Sequence, residues 1–256
     1  MMVFSRVKKK NSKVLKSRID ELNEKSNGMT AEQIIRLSHK EFGKSLVFAS
    51  SLGEEDQVIT DLISKVSSAI EIFTLDTGRL FQETYELLSK TQKRYPMAFK
   101  VYYPDNEAVE DMVRNYGINL FYESVANRKL CCGVRKVEPL KRALKNSDAW
   151  ICGLRSAQST ARSDVQVFQW DEANEKIKIS PLASWSLDQV HEYVGKNKID
   201  VNPLHAKGFI SIGCSSCTRA VNEGEDIRSG RWWWETPDQK ECGLHNNPNR
   251  PKKDRR

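Results

Sequence analysis

An α/β fold built on a doubly wound, mostly parallel sheet is what this sequence predicts, and three observations predict it. Short apolar runs recur along the chain, each separated from the next by a stretch whose apolar residues have helical spacing. The runs end in small or polar turns, SSLGEED at 50–56, DTGR at 76–79 and GLRSAQSTAR at 153–162, where a strand would hand over to a helix. A chain of 256 residues is long enough to bury one core of this kind.

Taken in order, residues 30–42 form an amphipathic helix with a Thr30 cap and Ile34, Leu37 and Phe42 turned inward. LVFAS (46–50) is a buried strand, and the helical pattern of 57–66 follows SSLGEED. EIFTL (71–75) is the second strand; residues 80–95 are helical; AFKVYYP (98–104) is the third strand. Residues 107–117 are helical again, with Gly117 as the stop. In 128–145 the pattern turns helical around PLKRALK, with Pro139 marking a fresh start or a kink. DAWICGL (148–154) is the next strand, residues 165–182 read as two strands joined by a polar turn, and 184–197 is a Ser-capped helix. From about Gly224 the chain turns polar, with Trp232, Trp233 and Trp234 as an isolated apolar island in a mobile tail. The expected organisation is a basic N-terminal extension (1–27), a ligand-binding body (28–230) and a flexible tail (231–256).

The formal net charge of +7 is not spread over the chain. Residues 1–18 hold seven Lys or Arg and no acid, residues 250–256 hold five against one acid, and residues 19–249 sum to −4. Basic tails on an acidic body argue against a nucleic-acid surface. No stretch approaches the roughly 18–20 apolar residues of a membrane span, and the basic start lacks the apolar core of a secretory signal. These features and the clustered cysteines point to the reducing cytoplasm.

The cysteines organise the chemistry. Cys131 and Cys132 are adjacent, Cys214 and Cys217 form a C-x-x-C, and Cys242 stands alone near the end. Two pairs of soft thiolates suit one centre, zinc or iron–sulfur, and leave the fifth free to react. Side chains of neighbouring helical residues diverge by about 100°, so a tandem pair on one centre is expected to need a bend or a strained turn. Cys152, between Ile151 and Gly153 in an apolar run, reads as core. His39, His191 and His205 read as helix-face or loop residues.

A small-residue turn between strand and helix, Ser50, Ser51 and Gly53, lets backbone N–H groups approach a phosphate. The acids that follow, Glu54, Glu55 and Asp56, would repel that phosphate and are expected to face away or be bridged by water. Arg155 and Arg162, Arg228 and Arg231, and Lys136 four residues after Cys132 would together suit a multiply charged anion. His245, three residues beyond Cys242, would lower the thiol pKa or bind anion.

Together these residues resemble the sulfonucleotide reductases, and specifically assimilatory adenylyl-sulfate (APS) reductases, over residues 30–245. The resemblance rests on CCGVRKVEPL, GLRSAQSTAR, NPLHAKGFISIGCSSCT, GRWWWE and ECGLH. The LDTG turn with Thr77 and Gly78 and the NPLH…GC stretch occur across the wider family, which includes phosphoadenylyl-sulfate (PAPS) reductases; the cysteine quartet marks the iron–sulfur branch. The first loop, SSLGEED, departs from the SGG type of related ATP pyrophosphatases. The resemblance implies a Rossmann-like, adenine nucleotide α-hydrolase-like (PP-loop) fold. It implies a [4Fe–4S] cluster on Cys131, Cys132, Cys214 and Cys217, and a nucleophile at Cys242. It implies substrate contacts from Ser50, Ser51, Gly53, Thr77, Gly78, Lys136, Arg155, Arg228, Arg231 and His245.

The activity it implies is reduction of APS to sulfite and AMP through an S-sulfocysteine, resolved by thioredoxin, in a homo-oligomer (dimer or tetramer). The cluster is expected to orient substrate and shape the field through Lys136 rather than pass electrons. The rival readings are a PAPS reductase, a PP-loop tRNA-thiolation enzyme, and a non-catalytic zinc module.

Overall fold

Leu46, Val47 and Phe48 are buried and consecutive, as a strand covered on both faces requires. They open the central strand, β1 (Leu46–Ala49), of a computed structural model that describes residues 13–158, 162–222 and 224–236. The other strands are β2 (Glu71–Leu75), β3 (Phe99–Tyr102), β4 (Ala149–Ile151), β5 (Phe168–Asp171) and β6 (Lys176–Ile179). Their order is β3-β2-β1-β4-β6-β5. Every pairing is parallel except β5 with β6, which form the expected hairpin. The doubly wound, mostly parallel sheet read from the sequence is therefore present.

Helices cover both faces. The principal ones are α1 (Ile19–Lys25), α2 (Ala31–Phe42), α3 (Glu54–Val66), α4 (Gln82–Arg94), α5 (Asn106–Tyr116), α6 (Val125–Cys132), α7 (Glu138–Ala143) and α8 (Leu187–Asn197). Thr30 caps α2 with a full capping box, and Ser186 does the same for α8. Gly117 ends α5 at φ +80°, a conformation glycine adopts without a Cβ penalty. Pro139 sits in the first turn of α7, which continues directly from helical backbone at Val137 and Glu138, so it marks a change of helical form rather than a fresh start.

Ile35, Phe48, Ile59, Ile63, Ile72, Ile151 and Ile177 are fully buried on one face of the sheet. Phe73, Leu140, Leu144, Trp150, Cys152 and Leu154 pack on the other, which places Cys152 in the core as its sequence context indicates. At about 25 cal/mol per Å² of apolar surface, each such side chain contributes some 2 kcal/mol.

Two segments belong to the body rather than to its ends. Leu15 and Leu22 are buried, and the Asn23 amide bonds both the carbonyl and the N–H of Phe168, at 2.9 and 3.0 Å. Asn23 thus occupies main-chain groups of the edge strand β5, which the basic composition of 1–27 concealed. At the other end, Trp232 is 1% exposed and packs with Phe121, Cys131, Cys214 and Cys217. The tryptophan run is therefore no isolated island: its first ring completes a small core, and only Trp233 is substantially exposed, at 40%. Among the described residues, no helix is long and apolar enough to cross a membrane.

Candidate active site

Strand order reverses between β1 and β4, and the carboxyl ends of β1, β2 and β4 open into one cavity of about 470 Å³. A crevice at such a switch point is the ligand site of open parallel sheets. Ser50, Ser51, Gly53, Thr77, Lys136, Arg155, Arg228 and Arg231 all line it. Gly78 does not; it turns the chain beside the cavity at φ +68°, its N–H donating to Asp76 at 2.7 Å. Arg162, singled out with Arg155, lines the cavity too. Cys242 and His245 lie outside the described residues.

Gly53 is the N-cap of α3 and contributes no side-chain cap, so the first-turn N–H groups have no acceptor within the helix. With the dipole of a thirteen-residue helix behind it, this end favours an anion. The loop before it is held tightly. Ser51 donates to Asp56 Oδ2 from both its N–H and its hydroxyl, each at 2.6 Å, and Leu52 N–H donates to Ser50 Oγ at 3.2 Å. Leu52 itself sits at φ +62° with its side chain buried.

The three acids do not face away, contrary to the expectation from sequence. Glu54, Glu55 and Asp56 line the cavity, and each is answered by a protein partner. Glu55 takes Arg155 Nε and Nη2 and Gln158 Nε2, all at 2.9 Å. Glu54 lies 3.3 Å from His191 Nε2. Asp56 takes Ser51 and the backbone of Gly153; burial pushes its carboxyl up to about 6, against the pull of those bonds. A Cβ on Gly153 would fall 2.3 Å from Asp56 Oδ1, so only glycine lets that carboxylate reach the backbone. Repulsion toward a bound anion is thus relieved by pairing rather than by orientation.

Arg231 is 7% exposed and lies against Gly213, where an added Cβ would stand 2.3 Å from Nη2. Its guanidinium donates to Ile212 O at 3.4 Å and stacks 4.7 Å from the Trp232 ring.

A second, smaller cavity adjoins the first. Cys131, Cys132, Cys214 and Cys217 all line it, with Arg79, Phe121, Arg128, Arg135, Lys136 and Ser216. α6 runs through both tandem cysteines, with Cys132 helical at φ −64°, and the departure from regular helix comes directly after them, in a π-type turn over Gly133–Val137. That wide turn brings Arg135 and Lys136 round to the same cavity as the sulfurs. The C-x-x-C spacing predicts two sulfurs one turn apart at the start of a helix; Cys214 instead precedes a single 3₁₀ turn, Ser215–Cys217, which ends in extended backbone at Thr218.

Burial pushes the Cys131 thiol up and the Cys217 thiol up to about 11, the latter reinforced by Cys214. Both are thereby held as neutral thiols, and binding a metal as thiolates would release those protons. Four cationic side chains and no carboxylate line the cage, which suits an anionic sulfur-ligated group. Among the described residues, no three or more His, Cys, Asp or Glu converge as the ligands of a single metal ion would.

Lys136 lines both cavities, and Thr77 joins them: its Oγ1 is 3.3 Å from Cys214 Sγ, and its carbonyl accepts from Arg135 at 2.7 Å. Arg79, Arg128, Arg135, Gln158 and Glu235 escaped the sequence reading. For Arg135, Arg79 and Glu235, the CCGVRK, LDTG and GRWWWE motifs were available signals; for the pairing of Glu235 with Arg128, 107 residues away, there was none.

Residues 45–220 match the family model for the phosphoadenosine phosphosulfate reductase domain. The chain is 50% identical over 201 residues to the adenosine 5'-phosphosulfate reductase of Allochromatium vinosum, covering 78% of each chain. It is 50% identical over 199 residues to that of Sinorhizobium fredii, covering 78% of this chain and 79% of the relative. Among solved structures, a phosphoadenylyl-sulfate reductase from Candida auris superposes with TM-score 0.69 at 29% identity, over 80% of this chain and 97% of that one. The FMN adenylyltransferase of Candida glabrata, at TM-score 0.53 and 14% identity, shares the fold alone. The chain belongs to the phosphoadenosine phosphosulfate reductase domain family.

Proposed function

We propose that this protein reduces APS to sulfite and AMP in sulfate assimilation, with Cys242 as the nucleophile. The observation that carries the reading is the pair of adjoining cavities, one at the nucleotide-binding switch point and one lined by four cysteines, joined through Thr77 and Lys136. The relatives named APS reductases support the choice of substrate.

The chemistry follows from the substrate. APS is a mixed anhydride whose sulfate sulfur is electrophilic. The Cys242 thiolate attacks that sulfur, the S–O bond to AMP breaks, and AMP departs with the electron pair. Its anionic charge is met by the first turn of α3 and by the cations around the cavity, Lys136, Arg228 and Arg231. A dithiol protein of the thioredoxin type then attacks Cys242 Sγ, sulfite leaves, and the second thiol of the partner resolves the mixed disulfide. The dithiol supplies both electrons. Cys131, Cys132, Cys214 and Cys217 would hold a [4Fe–4S] cluster, which supplies a fixed local charge beside the site. Lys136 lines both cavities and so presents its charge to cage and substrate alike.

Side-by-side kcat/KM values for APS and PAPS test the assignment: a clear preference for APS is expected, and a preference for PAPS would reverse it. Labile sulfide with about four irons per chain is expected in anaerobically purified protein; stoichiometric zinc instead would contradict the cluster.

A further inference from the structure

Beyond Gly230 the chain crosses from one cavity to the other. Thr218 and Arg231 form an antiparallel bridge, and Trp232 N–H donates to the carbonyl of Cys217 at 3.2 Å. The Trp232 ring is clamped by two guanidiniums, Arg128 and Arg231, each 4.7 Å from its centroid. Trp232 holds φ +42°, a left-handed conformation that a bulky residue keeps only where its surroundings over-determine it.

Three residues later the Glu235 carboxylate takes two bonds from Arg128, from Nε at 2.9 Å and Nη2 at 2.7 Å. Both side chains are buried, at 1% and 2% exposure. The same guanidinium lies within interaction range of the Cys132 thiol. A buried ion pair is a costly way to gain stability, whereas a two-point fork fixes position and direction.

We infer that the Arg128–Glu235 pair anchors the root of the catalytic tail to the cysteine cage, which makes both side chains positioning residues for the Cys242 thiol. The inference rests on the proposed role of Cys242. Cys242 stands seven positions after Glu235, so the length of the chain alone sets an upper limit of about 25 Å between their Cα atoms. Release of the root lengthens the tether and randomises its direction, and both lower the effective concentration of the thiol at the substrate sulfur. Binding of the nucleotide itself does not require the pair, since neither Arg128 nor Glu235 lines the larger cavity.

The test uses full-length, metal-loaded protein as wild type, Glu235→Gln, and Arg128→Met/Glu235→Leu, the last to avoid leaving one buried charge alone. Formation of the Cys242 sulfonate is followed by mass spectrometry in a single turnover with APS and no reductant. APS affinity, iron content and amide exchange over 231–236 are measured on the same preparations. For Glu235→Gln the expected result is sulfonation slowed about tenfold or more, with affinity within about twofold, iron unchanged and exchange accelerated at 233–236. For the double variant, which also removes a cation from the cage, sulfonation is expected to fall by more than iron content or affinity does. Sulfonation at the wild-type rate, or a loss that simply tracks iron or affinity, would overturn the anchor. No adduct even in the wild type would overturn the proposed function and this role with it, which separates the two failures.

Discussion

Thr77 Oγ1 lies 3.3 Å from the Sγ of Cys214, a contact that ties the turn after β2 to the cysteine cage across 137 residues of sequence. The same hydroxyl accepts from Arg79 N–H at 3.2 Å, and the residue is 1% exposed. Thr77→Val therefore removes a partner from two groups at once. The expected cost is about 1–3 kcal/mol in stability, with weaker iron retention, whereas Thr77→Ser keeps both. Thermal melts and iron stoichiometry of the two variants measure this. Equal behaviour of valine and serine would deny the contact any role.

Asp56 gives a pH signature. Its carboxyl is held at about 6 by burial, above the ordinary 3.8. Between those values the native state keeps a proton that the unfolded chain has released, so stability falls as pH rises through the window and the penalty is complete above it. The gap of about two units corresponds to about 3 kcal/mol. The difference in denaturant stability between wild type and Asp56→Asn is expected to shift by that order from pH 4 to pH 7, in favour of the variant at the higher pH. Parallel profiles would show that the carboxyl titrates normally.

Arg155 and Glu55 are 5% and 19% exposed and paired at 2.9 Å. Removing one partner leaves a largely buried charge. Arg155→Met should cost about 3–5 kcal/mol and weaken APS binding tenfold or more. Arg155→Met/Glu55→Gln should recover most of the stability. Calorimetric stability and equilibrium binding of both variants decide whether the pair balances the cavity as described.

Leu52 offers a test in which glycine outperforms alanine. The residue is buried and lies at φ +62°, where an L side chain is strained. Leu52→Ala loses packing and keeps the strain, for about 2–5 kcal/mol. Leu52→Gly loses the same packing but relieves about 1 kcal/mol of strain. Glycine is expected to be the more stable variant by denaturant midpoint, and the reverse order would mean the loop relaxes.

Much of this was legible in sequence because local pattern carried it. The runs at 46–50, 71–75 and 148–154 are apolar on both faces, which only a covered parallel strand requires, and Thr30 and Ser186 announce their helices by capping chemistry. The cavity followed from small residues at strand ends. Long-range pairings were not legible. Asn23 on Phe168, Glu55 on Arg155 and Glu235 on Arg128 join residues 100 or more apart, and although SSLGEED, GLRSAQSTAR and GRWWWE stood out, nothing local says which residue pairs with which. The acids after Gly53 misled for the same reason: their charge was visible, but the Arg155, His191 and Ser51 groups that answer it were not. The tryptophans misled because a polar neighbourhood hides an apolar partner that lies elsewhere in the chain, here Phe121 and the cysteines.

The division of labour between four caged cysteines and one reactive thiol is tested most directly by incubating anaerobic protein with APS in the absence of any dithiol and weighing the product. One sulfonate on Cys242, absent from Cys242→Ser and released as sulfite when thioredoxin is added, is the predicted result. Sulfite production by Cys242→Ser at the wild-type rate would contradict it.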